Sequence, residues 1–239
     1  MMQSLLSLIY PHHCAICDTP VAAPGLCGPC WRDMPFLTGL VCDACGAALP
    51  GDEPDGRAVR CDACLAAPPP WEAGRAALSY AGSARRLVLA LKHGDRLDLT
   101  GPAAGWMLAG AGPMIRAGQV MVPVPVHWTR RIARRYNQAA LLSRAVARLA
   151  GGRSAPQALI RVARTPSQDG LNRARRFANL EGAIRPHPRL GAVLRGADVV
   201  LIDDVMTSGA TLWAATRAAQ AAGAARVSVL VLARVAPET

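Results

Sequence analysis

Eight cysteines fall in four Cys-x-x-Cys pairs, Cys14/Cys17, Cys27/Cys30, Cys42/Cys45 and Cys61/Cys64, and none lies beyond residue 64 of a 239-residue chain. Two thiolates separated by two residues reach one ion from a tight turn. Two such turns complete the tetrahedral sulfur shell that zinc prefers. Four pairs therefore make two complete sites with no cysteine left over. Taken in order, Cys14, Cys17, Cys27 and Cys30 hold one zinc, and Cys42, Cys45, Cys61 and Cys64 hold the other. Spacing alone also admits an interleaved pairing. Four sulfurs leave no open position for water, so both sites are expected to be structural. Segments this short and rich in Gly and Pro bury too little apolar surface to fold alone, and metal supplies the missing stability. His12 and His13 precede the first pair, but the cysteines already fill both shells. The Pro68-Pro69-Pro70 run closes the module at residue 70 and is expected to act as a stiff hinge.

In a reducing compartment, paired cysteines hold metal more readily than they form disulfides. Met1–Tyr10 has neither a basic start nor a small-residue cleavage site. Ala103–Ile115 is cut by Gly and Pro and is too short to span a bilayer. The expected location is the cytoplasm, without membrane insertion. Charge divides the chain in the same place as cysteine does. Residues 1–70 carry 3 basic against 7 acidic residues, a net −4, and residues 71–239 carry 24 against 9, a net +15. A basic domain suits phosphate-rich ligands, either nucleotides or a nucleic-acid backbone. A solvated Arg-rich face gives the same count.

From Trp71 onward the pattern alternates strand and helix. Ala76–Tyr80, Gln119–Val126, Asp198–Ile202 and Val227–Val235 read as strands. Ser83–Lys92, Asn137–Ala150 and Ser208–Ala222 read as helices; in the second, Leu142, Ala145, Val146 and Leu149 follow the spacing of a buried face. Asp198–Ile202 is apolar on both sides of its pleat, as a central parallel strand covered by helices should be. Residues 71–239 are therefore expected to form an α/β domain with a parallel sheet flanked by helices. Its most informative segment runs from Val199 to Thr211. Four apolar residues deliver Asp203 and Asp204 to the carboxyl end of a strand, where ligands bind in open α/β sheets. A loop of hydroxyls and Gly follows and opens into a helix, a combination able to wrap a phosphate with backbone N–H groups and the positive end of the helix. A phosphate beside a vicinal diol, as in a sugar phosphate, fits that shape. The chain has neither the Gly-x-x-x-x-Gly-Lys-Ser/Thr of nucleoside triphosphate sites nor the Gly-x-Gly-x-x-Gly of dinucleotide sites.

The Val199–Thr211 segment resembles the phosphoribosyl-diphosphate (PRPP) motif of type I phosphoribosyltransferases. The whole chain resembles the ComF family, double zinc ribbon proteins with a phosphoribosyltransferase-like domain. The resemblance rests on the Cys pairs, Leu91-Lys92, Val122-Pro123-Val124-Pro125, Tyr136-Asn137-Gln138, Arg164 to Gln168, Leu171 through Asn179 and the acidic motif. It implies a type I phosphoribosyltransferase fold. It also implies that Asp203 and Asp204 are the catalytic pair that holds the ribose hydroxyls, with Mg²⁺ nearby. Thr207, Ser208, Gly209, Ala210 and Thr211 resemble the 5′-phosphate loop, with Ser208 replacing the commoner Thr. Val124, Pro125 and Val126 stand where the fold places its pyrophosphate loop, and Arg130, Arg131, Arg134 and Arg135 follow. Gln168 to Arg176 resembles a hood that closes over the ligand. Arg175 stands where the family often has Glu, and Ile184 where it often has Phe. Purine-salvage members carry an Asp at the place of Thr207, so the resemblance argues against a purine acceptor. It implies Mg²⁺-dependent phosphoribosyl transfer from PRPP. The alternative it implies is a DNA-uptake factor of natural competence. Such a factor binds single-stranded DNA along the Arg-rich surface and works beside a helicase and recombination proteins. Trp128, Tyr136 and Phe177 are the candidate stacking aromatics, with core or lid packing as the bland reading. A third reading makes the acidic zinc module a protein docking surface.

Overall fold

The computed structural model describes residues 12–52, 57–93, 96–126, 137–163, 177, 179–180 and 182–236. Two short antiparallel strands, β1 (His12–His13) and β2 (Pro20–Val21), and two single-turn helices, α1 (Gly28–Arg32) and α2 (Asp62–Ala66), build the cysteine-bearing part. Next come β3 (Gly74–Ser79), α3 (Gly82–His93), α4 (Thr100–Ala111), β4 (Val120–Pro123), α5 (Gln138–Ala150) and β5 (Arg153–Ser154). An antiparallel hairpin of β6 (Leu159–Arg161) and β7 (Ile184–Pro186) precedes β8 (Asp198–Met206), α6 (Ala210–Ala221) and β9 (Arg226–Arg234). The five strands β3-β9-β8-β4-β5 lie in that order in one parallel sheet, with helices on both faces. No helix among the described residues is long and apolar enough to cross a membrane.

The pleat of β8 explains the two faces. Val199 and Leu201 join the apolar cluster of Leu212, Ala215 and Ala219 on α6. Val200 and Ile202 point the other way, into the cluster of Leu87 on α3, Met107 on α4 and Leu142 and Val146 on α5. All four β8 side chains are completely buried, and burial of one aliphatic side chain is worth about 1.5–3 kcal/mol. The hydrophobic run read as a central strand is thus central because both sides of its pleat are covered. On α5, Leu149 departs from its expected buried place and is 53% exposed, since the stripe turns off the sheet before the last turn. Asn137 caps that helix, its Oδ1 accepting from the Ala139 N–H at 3.1 Å.

Helix α4 was hidden by its glycines and proline. One of them, Gly110, has a packing reason: a Cβ at that position would lie 3.0 Å from the Ala76 carbonyl oxygen. The helix therefore approaches the β3 backbone so closely that any side chain here would force the strand to shift.

The cysteine-bearing part is joined to the sheet by hydrogen bonds. The Leu37 N–H donates to Ala77 O and the Ser79 N–H to Pro35 O, each at 2.9 Å, so Pro35–Leu37 runs antiparallel along β3 and covers that edge. The Gly74 N–H donates to Asp43 O at 2.8 Å, and Arg75 forms an ion pair with Asp43. The expected hinge is instead pinned, because the Pro70 carbonyl accepts from Gln220 Nε2 at 2.9 Å and Trp71 is buried directly after it. Contact at this seam is close enough to exclude a methyl group. A Cβ on Gly74 would meet Ala44 O at 2.3 Å and Val229 Cγ2 at 2.9 Å. Gly74→Ala should therefore cost about 1–3 kcal/mol, the usual range for overpacking, and a thermal melt should show a lower transition temperature. An unchanged melt would mean the seam yields freely.

Candidate active site and metal centres

The sulfurs of Cys14, Cys17, Cys27 and Cys30 all lie within 4.8 Å of one another, as do those of Cys42, Cys45, Cys61 and Cys64. The pairing is sequential, which resolves the alternative that spacing left open. Zinc–sulfur bonds of about 2.3 Å in a tetrahedron put sulfurs roughly 3.8 Å apart. Cys17 and Cys27 stand at 3.5 Å and Cys45 and Cys61 at 3.7 Å, so both sets fit the ion. These are two four-cysteine zinc sites of the double zinc ribbon kind. In the second set, hydrogen bonds from Cys45 and Cys64 hold Cys42 far below the ordinary thiol range, while Cys42 and Cys45 push Cys64 far above it. A dication bound to four thiolates removes that conflict. The two centres differ in depth. All four cysteines of the second are buried inside the sheet's own apolar cluster, whereas Cys17 is exposed and Cys27 and Cys30 are half-buried.

At the carboxyl end of the sheet, β4 stops pairing with β8 at Pro123–Ile202, and the Val124 N–H makes one last bond to Ile202 O at 2.9 Å. Strand β8 continues beside β9 alone, through Asp203 opposite Val231 to Met206 opposite Arg234. The chain leaves β4 toward α5 and β5 on one side, and leaves β8 toward α6 and β9 on the other. Asp203 and Asp204 therefore sit at the topological switch point, where a crevice opens between diverging connections. Burial pushes the Asp203 carboxyl up to about 8, with the charge of Asp204 adding to the effect. The Asp204 N–H, bonded to Asp203 Oδ1 at 2.9 Å, and the charges of Lys92 and Arg161 pull the other way.

Lys92, near the end of α3, brings Nζ to 3.2 Å from Asp204 Oδ2, with side chains only 20% and 13% exposed. Sequence reading noted Leu91-Lys92 but gave it no role. A signal was present: Lys92 is the single lysine among 27 basic residues. On a solvated surface Arg serves as well. Beside two carboxylates, a compact ammonium with three rotatable donors differs from a planar fork. Arg161, on β6, is the second cation that sequence reading did not place near the pair.

The loop after the acids is as short as expected. Thr207 is exposed, Ser208 half-buried and Gly209 buried, and α6 begins at Ala210 with Thr211 in its first turn. Gly209 adopts φ +80°, the left-handed region that suits glycine, and turns the chain into the helix. The Ser208 hydroxyl accepts from the Ala210 N–H at 3.5 Å. Val124 and Pro125 are buried next to the end of β8, and Asn137 Nδ2 donates to Val124 O at 3.4 Å. Arg130, Arg131, Arg134 and Arg135 lie outside the described residues, as do Gln168–Arg176, Trp128 and Tyr136. Phe177 packs edge-on against Trp213, with ring centroids 5.5 Å apart.

Carboxylates at a switch point, running straight into a hydroxyl and glycine turn, are the working end of a phosphoribosyltransferase-type α/β domain, here preceded by a double zinc ribbon. The double zinc ribbon domain family matches residues 5–65, and the phosphoribosyl transferase domain family matches residues 139–238. Over 235 residues the chain is 32% identical to the DNA utilization protein YhgH of Salmonella typhimurium, covering 95% of this chain and 99% of that protein. The protein of the same name from Escherichia coli K12 is 29% identical over the same shares. Competence protein F of Haemophilus influenzae is 26% identical over 227 residues, 90% of this chain and 92% of its own. The chain belongs to the ComF family that these proteins represent.

Proposed function

We propose that the chain binds PRPP at the β8–α6 turn and, with Mg²⁺, transfers its phosphoribosyl group to a nucleophile. The observation that carries this is Asp203 and Asp204 at the switch point, followed within three residues by the Thr207–Ser208–Gly209 turn and the amino end of a twelve-residue helix. In this reading Thr207 to Thr211 hold the 5′-phosphate, and Asp203 and Asp204 hold the ribose hydroxyls. Val124, Pro125 and Arg130 form the pyrophosphate side, and Lys92 and Arg161 balance the acids. The bond from the anomeric carbon to pyrophosphate breaks, the nucleophile bonds to that carbon, and pyrophosphate leaves with the bonding pair. Mg²⁺ supplies charge stabilisation for the leaving oxygens. Positioned cations of the chain do the same, so little covalent chemistry is asked of the protein. Residue 207 is Thr rather than an acid, which argues against a purine acceptor. Residues 1–70 form the zinc module and 71–239 the transferase-like domain. The reduced cysteines suit the cytoplasm.

Calorimetric titration of the zinc-loaded chain with PRPP and Mg²⁺ should give saturable one-site binding. Asp203 is held mostly protonated at neutral pH, and a ligand that favours its carboxylate must displace that proton. The measured heat should therefore vary with the ionisation enthalpy of the buffer, and affinity should rise as the pH approaches about 8. Absence of any binding heat would overturn the proposal.

A second reading is favoured by the names of the relatives, one a DNA utilization protein and another a competence protein. Together with the +15 charge of residues 71–239, they support a role in DNA uptake in which the basic surface contacts single-stranded DNA. Helicase and recombination proteins would be its partners. PRPP would then be a substrate or a signal for the same chain.

A further inference from the structure

The second zinc centre and the phosphate loop share a wall. Cys45, Cys64, Trp71, Ser208, Gly209 and Arg234 line one crevice of about 30 Å³, room for a water or two at most. Two side chains span it. The Trp71 indole N–H donates to Ala44 O at 2.5 Å, inside the Cys42-x-x-Cys45 turn. The far edge of the same ring packs on Gly209, where an added Cβ would lie 3.4 Å from Trp71 Cη2. Arg234, the last residue of β9, is 8% exposed. Its Nη1 donates to the carbonyls of Met206 at 3.2 Å and Thr207 at 2.6 Å, the two residues that lead into the loop. Its Nε is buried with no hydrogen-bond partner among the described residues.

The electrostatics give this arrangement a purpose. Four thiolates around one dication carry a net charge of −2. A dianionic centre beside a loop built for phosphate would repel its ligand unless a fixed cation stood between them. Arg234 occupies that place, on the carbonyl side of the loop. Trp71 transmits position where Arg234 balances charge: its ring fixes the height of Gly209 relative to the metal-bound turn.

We propose that Trp71 and Arg234 are positioning residues that make the phosphate loop dependent on the second zinc centre, so that zinc occupancy there sets the affinity for PRPP. The proposal rests on the PRPP reading above. Binding linkage is reciprocal, so PRPP must tighten zinc in the second centre by the factor by which that zinc tightens PRPP.

Competition for zinc between the full chain and a zinc-selective chelating dye, with and without PRPP and Mg²⁺, tests this. The first centre is identified with a Cys27→Ser/Cys30→Ser chain. PRPP should raise the affinity of the second zinc roughly 10-fold, within the usual range of coupled sites, and leave the first unchanged. Trp71→Phe and Arg234→Met should each keep two zincs, weaken PRPP roughly 10-fold by calorimetry and lose the protection. Arg234→Lys, which keeps the charge, should recover part of the affinity. If the wild type binds PRPP but both zincs compete as before, the coupling is overturned and the PRPP site stands. If the wild type gives no binding heat, the PRPP reading falls and takes this proposal with it. Should either variant fail to hold two zincs, the wild-type competition decides the matter alone.

Discussion

Replacing Cys61 and Cys64 with serine should abolish cooperative unfolding of the whole chain, whereas the same change at Cys27 and Cys30 should lower the melting temperature by only a few degrees. The difference follows from where the centres sit. Cys42, Cys45, Cys61 and Cys64 belong to the apolar cluster that also contains Val199, Leu201, Val229 and Leu212. Losing zinc there leaves buried thiols in mutual conflict within the core of the sheet. Structural zinc is worth about 10–16 kcal/mol in small zinc domains, as much as the entire stability of an ordinary domain, about 5–15 kcal/mol. The first centre reaches the sheet layer through side chains: Trp31, Phe36 and Trp106 meet at centroid distances of 4.7–5.9 Å, and Trp31 remains 49% exposed. Circular dichroism melts of both variants, with zinc content measured on each, check the prediction. Equal losses would mean the two centres carry equal loads.

Asp203→Asn with Asp204→Asn should weaken PRPP by at least about 100-fold, roughly 2.7 kcal/mol, and leave affinity for single-stranded DNA unchanged. The amide is isosteric with the carboxyl, so Val199–Ile202 keep their packing and β8 its register. The charge that meets the diol and Mg²⁺ is removed, together with the ion pair between Asp204 and Lys92. Stability should move in the opposite sense. The native Asp203 carboxyl titrates near 8, far above its ordinary 3.8. The unfolded chain therefore holds fewer protons between these values, and this group costs stability progressively as pH rises through them. Asp203→Asn alone escapes that cost and should gain stability relative to wild type between pH 6 and 8, whereas Asp204→Asn opposes the gain by leaving Lys92 without its partner. DNA affinity that fell together with PRPP affinity would place both ligands in one site. DNA affinity insensitive to salt would remove the basic surface from the account.

Much of this was legible in the chain because the signals were local. Cys-x-x-Cys turns, the apolar run before two acids and the Ser208–Gly209 turn each specify their own structure within a few residues. The strand read as ending at Ile202 continues to Met206 because β9 pairs with it beyond the acids, and nothing within Asp203–Met206 announces that partner. Helix α4 was missed because Gly105 and Gly110 look like breakers, and only the nearness of β3 explains Gly110. Lys92 and Arg161 are brought to the acids from α3 and β6, more than a hundred residues and about forty residues away in sequence. Such a meeting is a property of topology, and composition offered a hint only for the lone lysine. The zinc module also read as separate. Its docking depends on backbone groups of Pro35, Leu37 and Asp43, whose hydrogen bonds no side-chain pattern encodes.

The pairing of Pro35–Leu37 along β3 has a consequence for the birth of the protein. An unpaired outer strand is a template on which other chains can assemble into aggregates. Synthesis runs from the amino end, so the segment that shields β3 leaves the ribosome before β3 does and is available when the parallel sheet begins its slow, non-local assembly. A cell short of zinc would make the same polypeptide with that guard unformed. Its metal supply would then govern how much of the newly made chain escapes precipitation and proteolysis.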